Sequence, residues 1–457
     1  MIDSTAMARN FKTADYEATL EVRVSLRDAL PPEHLARFVV DVVGQLDFSQ
    51  IYARYGASGG QPYAPEVLFA LLIYGYCTGV FSSRKIERAT YESIPFRFVA
   101  GDLHPDHDTI ANFRKTFLEE IKELFVQLLL LAEEVGQLKL GNISLDGSKI
   151  HANASKSQAV SYQRLVELDA QLRREVDELF ALAEATEQGS WPDDFKLEDE
   201  IARRQARLEQ LAQAKAVLEA RADERYQAER AEYEAKVRQR QEKAQRTGRP
   251  TRGREPKPPE PGPRDKDQYN FTDPESRIMK NSTDDGFDQH YNVQVAVDQE
   301  RLLIVATTVS NHANDQQEAV PTVQAIDPRV GTPEAAALDN GYFSSTNIEH
   351  LEGRGIDPYI ATGREHHHRS WKEYFQHQPE PPPEQASAQE KMAYKLKTTI
   401  GQAIYRLRKC TVEPVIGIIK EVLGFRQFSL RGLAAVAGEW CLVCLAFNVK
   451  RLHRLLG

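Results

Sequence analysis

Cysteine is scarce in this chain: Cys77, Cys410, Cys441 and Cys444 are the only four in 457 residues. So few and so scattered, they do not build a disulfide framework. Cys441 and Cys444 form a CxxC inside the apolar run EWCLVCLAFNV, with no second CxxC to complete a zinc site, so they read as small core residues. Long apolar runs are missing as well. No stretch reaches the ~18 apolar residues that mark a membrane span, and the most apolar one, PEVLFALLIYGYCTGVF, is shorter and interrupted. The N-terminus, MIDSTAMARNFKTADYEATL, lacks the basic start and apolar centre of a signal peptide, so the cytoplasm is the expected location. Positive charge is in deficit: 58 Lys and Arg stand against 67 Asp and Glu, a net charge of −9, which taken alone speaks against nucleic acid.

What is present is the composition of a soluble globular protein, 41% hydrophobic and 27% charged. The length leaves room for roughly two or three domains with a real core. The charges, however, are unevenly spread. Between Gln389 and Gly457 there are twelve Lys or Arg and only four Asp or Glu. Such asymmetry is a better guide to a nucleic-acid footprint than the whole-chain sum, although a solvated surface has the same appearance.

Residues 20 to about 135 read as helical. In PPEHLARFVVDVVGQL, Leu35, Phe38, Val39, Val42 and Val43 recur at helical spacing behind Pro31 and Pro32. APEVLFALLIYGYCTG and SSRKIERATYES follow, the second opening on a serine pair suited to N-capping. In HPDHDTIANFRKTF, Asp108 or Thr109 is the expected cap, and Arg114 and Lys115 would face DNA if these short helices form a helix-turn-helix. A helical bundle without a DNA role has the same pattern.

The character then changes. Leu138 to Leu145 is strand-like and is expected to end at Asp146-Gly147. From about 157 to 246, Leu165, Leu168, Leu172, Val176, Leu179 and Leu182 are spaced by three or four. The rhythm returns at Leu197, Ile201, Leu208, Leu211, Leu218 and Ala222, with GSWPDDF between the runs. This pattern predicts an antiparallel coiled-coil hairpin projecting from the rest of the chain. TGRPTRGREPKPPEPGPRD follows, where nine of nineteen residues are Pro or Gly, so a flexible or extended linker is expected at 247–265. YNVQVAVD and RLLIVATTVSN then predict a β-hairpin, AVPTVQAI a helix, EAAALDNGYFSS a strand ending at Asp339 and GIDPYIATG a further strand. Residues 364 to about 388 read as loop, so His366 to His368 are expected to be solvent-exposed rather than metal ligands, and the remainder is helical.

Two acids thus close strands, Asp146 and Asp339, and a third, Glu413, stands in the basic helical stretch YRLRKCTVEPVIGIIK. Acids at the C-terminal ends of adjacent parallel strands project into the crevice where α/β sheets place their sites. Together with Glu413 they would offer hard oxygen ligands for Mg²⁺ or Mn²⁺, leaving positions for phosphate and water. Two such ions about 4 Å apart activate an attacking hydroxyl and stabilise a leaving oxygen in phosphodiester chemistry. With 67 acids in the chain, chance trios are common, and Glu413 also reads plainly as a surface salt-bridge partner of its basic neighbours.

SLDGSKIHANASK, ALDNGYFSS and YRLRKCTVEPVIGIIK together resemble the three catalytic blocks of DDE transposases of bacterial insertion sequences, in the branch with a Tyr-Arg-Glu-Lys signature. PYAPEVLFALLIYGYCTGVFSSRKIERATYES and HPDHDTIANFRKTF resemble that branch's N-terminal helical domain, and NFTDPESRIMK, QHYNVQVAVD and GFRQFSLRGL also fit. The resemblance implies an RNase-H-like α/β fold, a mixed five-stranded sheet flanked by helices. It would comprise an N-terminal helical DNA-binding domain at 1–135, a catalytic domain at 136–156 and 266–457, and a coiled-coil insertion with its linker at 157–265. It implies Asp146, Asp339 and Glu413 as the catalytic, metal-binding acids, holding Mg²⁺ or Mn²⁺, two ions in all. Tyr405, Arg408, Lys409 and Lys420 would contact DNA. One departure stands out: the family's Arg lies four residues before the Glu, where this chain has Lys409, and Arg408 lies one earlier. The implied activity is cleavage at the element's terminal inverted repeats and strand transfer into target DNA, by a homo-oligomer assembled on DNA and without a membrane partner. A nuclease without strand transfer, and a non-catalytic DNA-binding protein derived from a transposase, are the alternatives.

Overall fold

Seven helices come first in the computed structural model, which describes residues 25–56, 61–185, 196–247, 255–281, 286–363, 381–383 and 385–457. They are α1 (Leu35–Val43), α2 (Ser49–Tyr52), α3 (Pro65–Cys77), α4 (Ser83–Glu92), α5 (Ile94–Val99), α6 (His107–Thr116) and α7 (Leu118–Glu134). α3 starts on Pro65, whose fixed φ suits a first helical position, and is apolar on every side, so it is buried throughout from Leu68 to Cys77. The caps differ from expectation. The Ser82 side chain makes no cap bond to α4. α6 is capped by Asp106, whose extended backbone lets Oδ1 accept from the Thr109 amide at 2.7 Å, whereas Asp108 already lies within the first turn.

Arg114 does not face outward. It is buried, donating to the Tyr76 hydroxyl at 2.8 Å and the Phe81 carbonyl at 3.2 Å, with Glu439 at 3.7 Å. The reason is that α6 packs on α3 and α4, and Arg114 falls on the packed side beside Ile110 and Phe113. A DNA contact by Arg114 is therefore corrected to a structural one, while Lys115 is exposed.

β1 spans Asn142–His151, so the strand runs on through Asp146-Gly147 instead of ending there. Its second half continues because it pairs antiparallel with a later strand as far as His151. β2 (Ala159–Ser161) leads into α8 (Tyr162–Ala185), and α9 (Leu197–Thr247) returns to β3 (Gln268–Asn270), which pairs with β2. α8 and α9 run antiparallel, with Tyr162 bonded to Glu219 near one end and Arg204 to Glu175 further along. Val160, Leu165, Leu211, Ala214 and Leu218 form a small core of their own at the hairpin's base, separate from the main one. Away from the base the apolar stripe is less covered, and Leu182 and Phe180 are exposed. α9 is 51 residues long against 24 for α8, so its second half passes beyond its partner. There the described part of the Pro-rich segment comes back against it, with Arg264 paired to Glu229 and Arg225 bonded to the Gly262 carbonyl.

β4 (Arg277–Lys280), β5 (Phe287–Asp298), β6 (Ile304–Ser310), α10 (Ala319–Gln324), β7 (Ala335–Leu338), α11 (Ser345–Gly353) and β8 (Asp357–Ile360) complete a mixed sheet of six strands, in the order β4-β5-β1-β7-β8 with β6 also on β5. One strand more than expected is present because β4 pairs with the start of β5 and β6 with the rest of it. β1, β7 and β8 are parallel to one another, while β5 is antiparallel to β1. α12 (Ala388–Lys397), α13 (Thr399–Gly417), a π-helical turn at Ile418–Val422 and α14 (Leu433–Leu456) finish the chain. The expected histidine run at His366 to His368 lies outside the described residues.

α13 packs on β1, β5, β7 and β8, and α14 packs on α1, α3, α7 and β6. One hydrophobic core therefore runs from the N-terminal helices through α14 into the sheet. By length and composition α14 could cross a membrane. Here its run from Gly438 to Val449 is buried, and Asn448 binds both the amide and the carbonyl of Ile304 on β6. Cys441 and Cys444 lie in that run as packing residues, with burial pushing the Cys441 thiol up to about 12.

Candidate active site

Alternation along β1 sends Ser144, Asp146 and Ser148 to one face of the sheet, and each meets a residue from the helical segment above. Thr411 on α13 bonds Ser144 at 2.8 Å, Arg408 bonds Asp146 at 2.9 Å, and Lys420 on the π-helical turn bonds Ser148 at 2.8 Å. Asp339 arrives by register. β1 and β7 pair in parallel up to Leu145 opposite Leu338, so Asp146 and Asp339 are the next residues on the two strands. Asp339 also caps the short turn Asn340–Tyr342, accepting from the Asn340 amide at 2.6 Å. Glu413 lies five residues beyond Arg408 on α13, and Arg408 Nη2 donates to it at 3.1 Å. Arg408 thus bridges Asp146 and Glu413, and Asp339 follows the paired register on the neighbouring parallel strand.

Arg408 is the residue that joins Asp146 to Glu413. Its side chain is 7% exposed, with one terminal nitrogen on Asp146 and the other on Glu413, against 21% exposure for Asp146 and 47% for Glu413. Nε is buried without a hydrogen-bond partner. Tyr405 lies beside the guanidinium, 5.9 Å from ring centre to Cζ. Lys409, the neighbouring candidate, is exposed. Lys420 lies in the π-helical turn that follows α13, beyond Pro414.

Burial raises the Asp146 carboxyl to about 6, against the opposing pull of Arg408 and the Gly147 amide, and the charges of Asp339 and Asp315 push it the same way as burial. Burial likewise lowers the Lys420 ammonium. Asp315 was not legible as part of this site. It sits in the polar stretch NHANDQQ after β6, with nothing in spacing or composition to single it out. Asn292 and Gln294 on β5 each donate to its Oδ1 at 2.8 Å, and Tyr342 donates to the other end of the Gln294 amide. Gly147 makes room for this: a Cβ there would lie 2.3 Å from Gln294 Nε2 and 2.9 Å from Asp315 Oδ1.

Among the described residues, no group of three or more His, Cys, Asp or Glu is drawn close enough to clasp a metal ion. The donor chemistry nevertheless suits a hard divalent cation, since every candidate ligand is a carboxylate oxygen. A cation, the Arg408 guanidinium, already lies between two of them.

Comparison with known families gives two matches. Residues 24–116 match the family model described as Transposase domain (DUF772), and residues 369–453 match Transposase DDE domain. Arg408, Glu413 and Lys420 fall inside the second match, and Asp146 and Asp339 lie in neither. No curated protein and no solved structure matches the chain.

Proposed function

From a chain whose two family matches are consistent with a DDE transposase of an insertion sequence, we propose that the protein cleaves DNA at the element's ends and joins them to target DNA. The observation that supports this reading is the bridge from Asp146 through Arg408 to Glu413, with Asp339 following in register on the parallel strand beside Asp146. The three acids would hold divalent ions, Mg²⁺ or Mn²⁺, and two such ions would supply activation of the attacking oxygen and stabilisation of the leaving one. In the first step a water oxygen bonds to phosphorus as the 3′-oxygen leaves. In the second, the freed 3′-hydroxyl attacks a target phosphodiester, so each step breaks one P–O bond and forms another. The buried wall made by β1 and α13 fixes the acids in place, while the half-exposed Glu413 keeps the site open to a strand of DNA. The sheet with this arrangement is read as RNase-H-like, and the paired helices α8 and α9 as the coiled-coil insertion. Lys409, Lys420 and Tyr405 are assigned to the DNA backbone, and the chain is read as working in the cytoplasm as a homo-oligomer on DNA.

The test is Mg²⁺-dependent cleavage of DNA carrying the element's terminal repeats. Asp146→Ala, Asp339→Ala and Glu413→Ala should each lower cleavage by about a hundredfold or more, the effect of losing several kcal/mol of transition-state stabilisation. Gel-shift binding of the same DNA should persist or tighten, because each change removes negative charge near phosphate. Variants that cleave normally would return Glu413 to a plain salt-bridge role and end the transposase reading. A strand-transfer assay with the same DNA separates a transposase from a nuclease.

A further inference from the structure

A buried guanidinium shared between two carboxylates is costly to desolvate, and such a group persists only where its partners need a counter-charge. Asp146 is mostly buried, and Asp339 follows in register on the strand beside it. Arg408 meets that need with one nitrogen on each of Asp146 and Glu413 at 2.9 and 3.1 Å. Those carboxylate oxygens are the ones the proposed function assigns to divalent ions. The two cations cannot share them at contact distance, because like charges a few ångströms apart repel strongly in a poorly solvated pocket. The guanidinium is also not fully tied down: Nε is buried with no acceptor.

We propose that Arg408 is the resident cation of this site, holding Asp146 and Glu413 together in the absence of metal and yielding their oxygens when a divalent ion binds. Arg408 is then a positioning residue whose contacts differ between the metal-free and metal-loaded protein, rather than a standing DNA contact. It keeps two acids that would otherwise repel and splay within reach of each other. The same contacts set a threshold for metal, since the ion must displace a +1 group already in place. This inference rests on the assignment of the acids to metal, and it adds the direction in which Arg408 acts on that metal.

The experiment measures Mn²⁺ binding to the full chain without DNA, by calorimetry or by the free-ion electron paramagnetic resonance signal, together with the melting temperature of the metal-free protein. Arg408→Gln removes the competing charge and should bind Mn²⁺ at least about tenfold more tightly than wild type, with a lower metal-free melting temperature that Mn²⁺ restores. Arg408→Lys keeps one charge but cannot bridge both acids, and should fall between wild type and the Gln variant on both measures. The Lys variant also keeps the test alive if the Gln variant does not fold. Equal or weaker Mn²⁺ binding in whichever variant folds would overturn the inference and leave Arg408 as a support for the ligands. No Mn²⁺ binding by wild type or by either folded Arg408 variant would instead overturn the metal reading on which the inference stands.

Discussion

The hairpin and the sheet use the same charged residues to opposite ends. Along α8 and α9, Arg173 pairs with Asp169, Arg203 with Glu200, Arg230 with Glu234 and Lys236 with Glu232, all one helical turn apart with exposed basic partners. Such pairs form wherever helical spacing permits and contribute little each, because water competes for both partners. Under α13 the partners come from opposite ends of the sequence, Arg408 and Asp146 being 262 residues apart, and water is largely excluded. The buried pair Arg114–Glu439 joins α6 to α14 in the same way, with Glu439 also accepting from the Ser429 and Leu430 amides. The difference teaches that an ion pair's meaning lies in its surroundings: one turn apart on an exposed helix it decorates that helix, and in the core it fixes which elements meet.

That contrast can be broken by mutation. The largest stability effect is expected at Arg114–Glu439. Arg114→Met leaves Glu439 buried without its cation and should lower the unfolding free energy by about 3–5 kcal/mol, measured by denaturant titration. Where the variant remains folded, its affinity for DNA should be unchanged, since Arg114 is turned into the core; weakened binding at full folding would restore Arg114 as a DNA reader.

A smaller effect is expected from pH. The Asp146 carboxyl is raised in the folded protein from its ordinary 3.8 to about 6, so the native state holds this proton more tightly than the unfolded chain. Its contribution to stability is full below about pH 4 and is lost as pH climbs through about 6. Metal-free wild type should therefore lose up to about 3 kcal/mol relative to Asp146→Asn between these limits. A difference that stays flat with pH would mean that Arg408 neutralises the cost of burial in full.

The basic residues beside the site should come next. Lys409→Ala and Lys420→Ala are each expected to weaken DNA binding and to reduce the log–log salt slope by about one unit, the share of one phosphate contact. A gel-shift series across salt concentrations reads both quantities. An unchanged slope for Lys420 would assign its ammonium to Ser148 alone.

The smallest change belongs to the hairpin surface. Arg230→Ala, which removes an exposed pair on α9, should alter stability by less than about 0.5 kcal/mol. A loss comparable to that of Arg114→Met would contradict the distinction drawn between the two regions.

Local signals on the chain located much of this architecture. Alternation and β-branched runs placed β5, β6, β7 and β8, and periodicity at three and four placed α8 and α9, because these patterns follow from side-chain geometry within one element. The strand end at Asp339 was legible for the same reason, as an apolar run stopping at an acid followed by Asn-Gly. Other features depended on partners that are remote in sequence. β1 continues past Asp146-Gly147 because β5 offers it a further antiparallel edge, and β4 adds to the sheet only through its pairing with β5. Arg114 and Lys115 are neighbours with the same charge, and only the packing of α6 on α3 and α4 decided that one is buried and the other exposed. Likewise the sequence by itself determined that three acids and a basic helix were available. The tertiary structure alone decided that Arg408, rather than Lys409, reaches the acids and that Asp315 stands close by. Both outcomes rest on which side of a helix or loop meets the sheet, and local spacing does not contain that information.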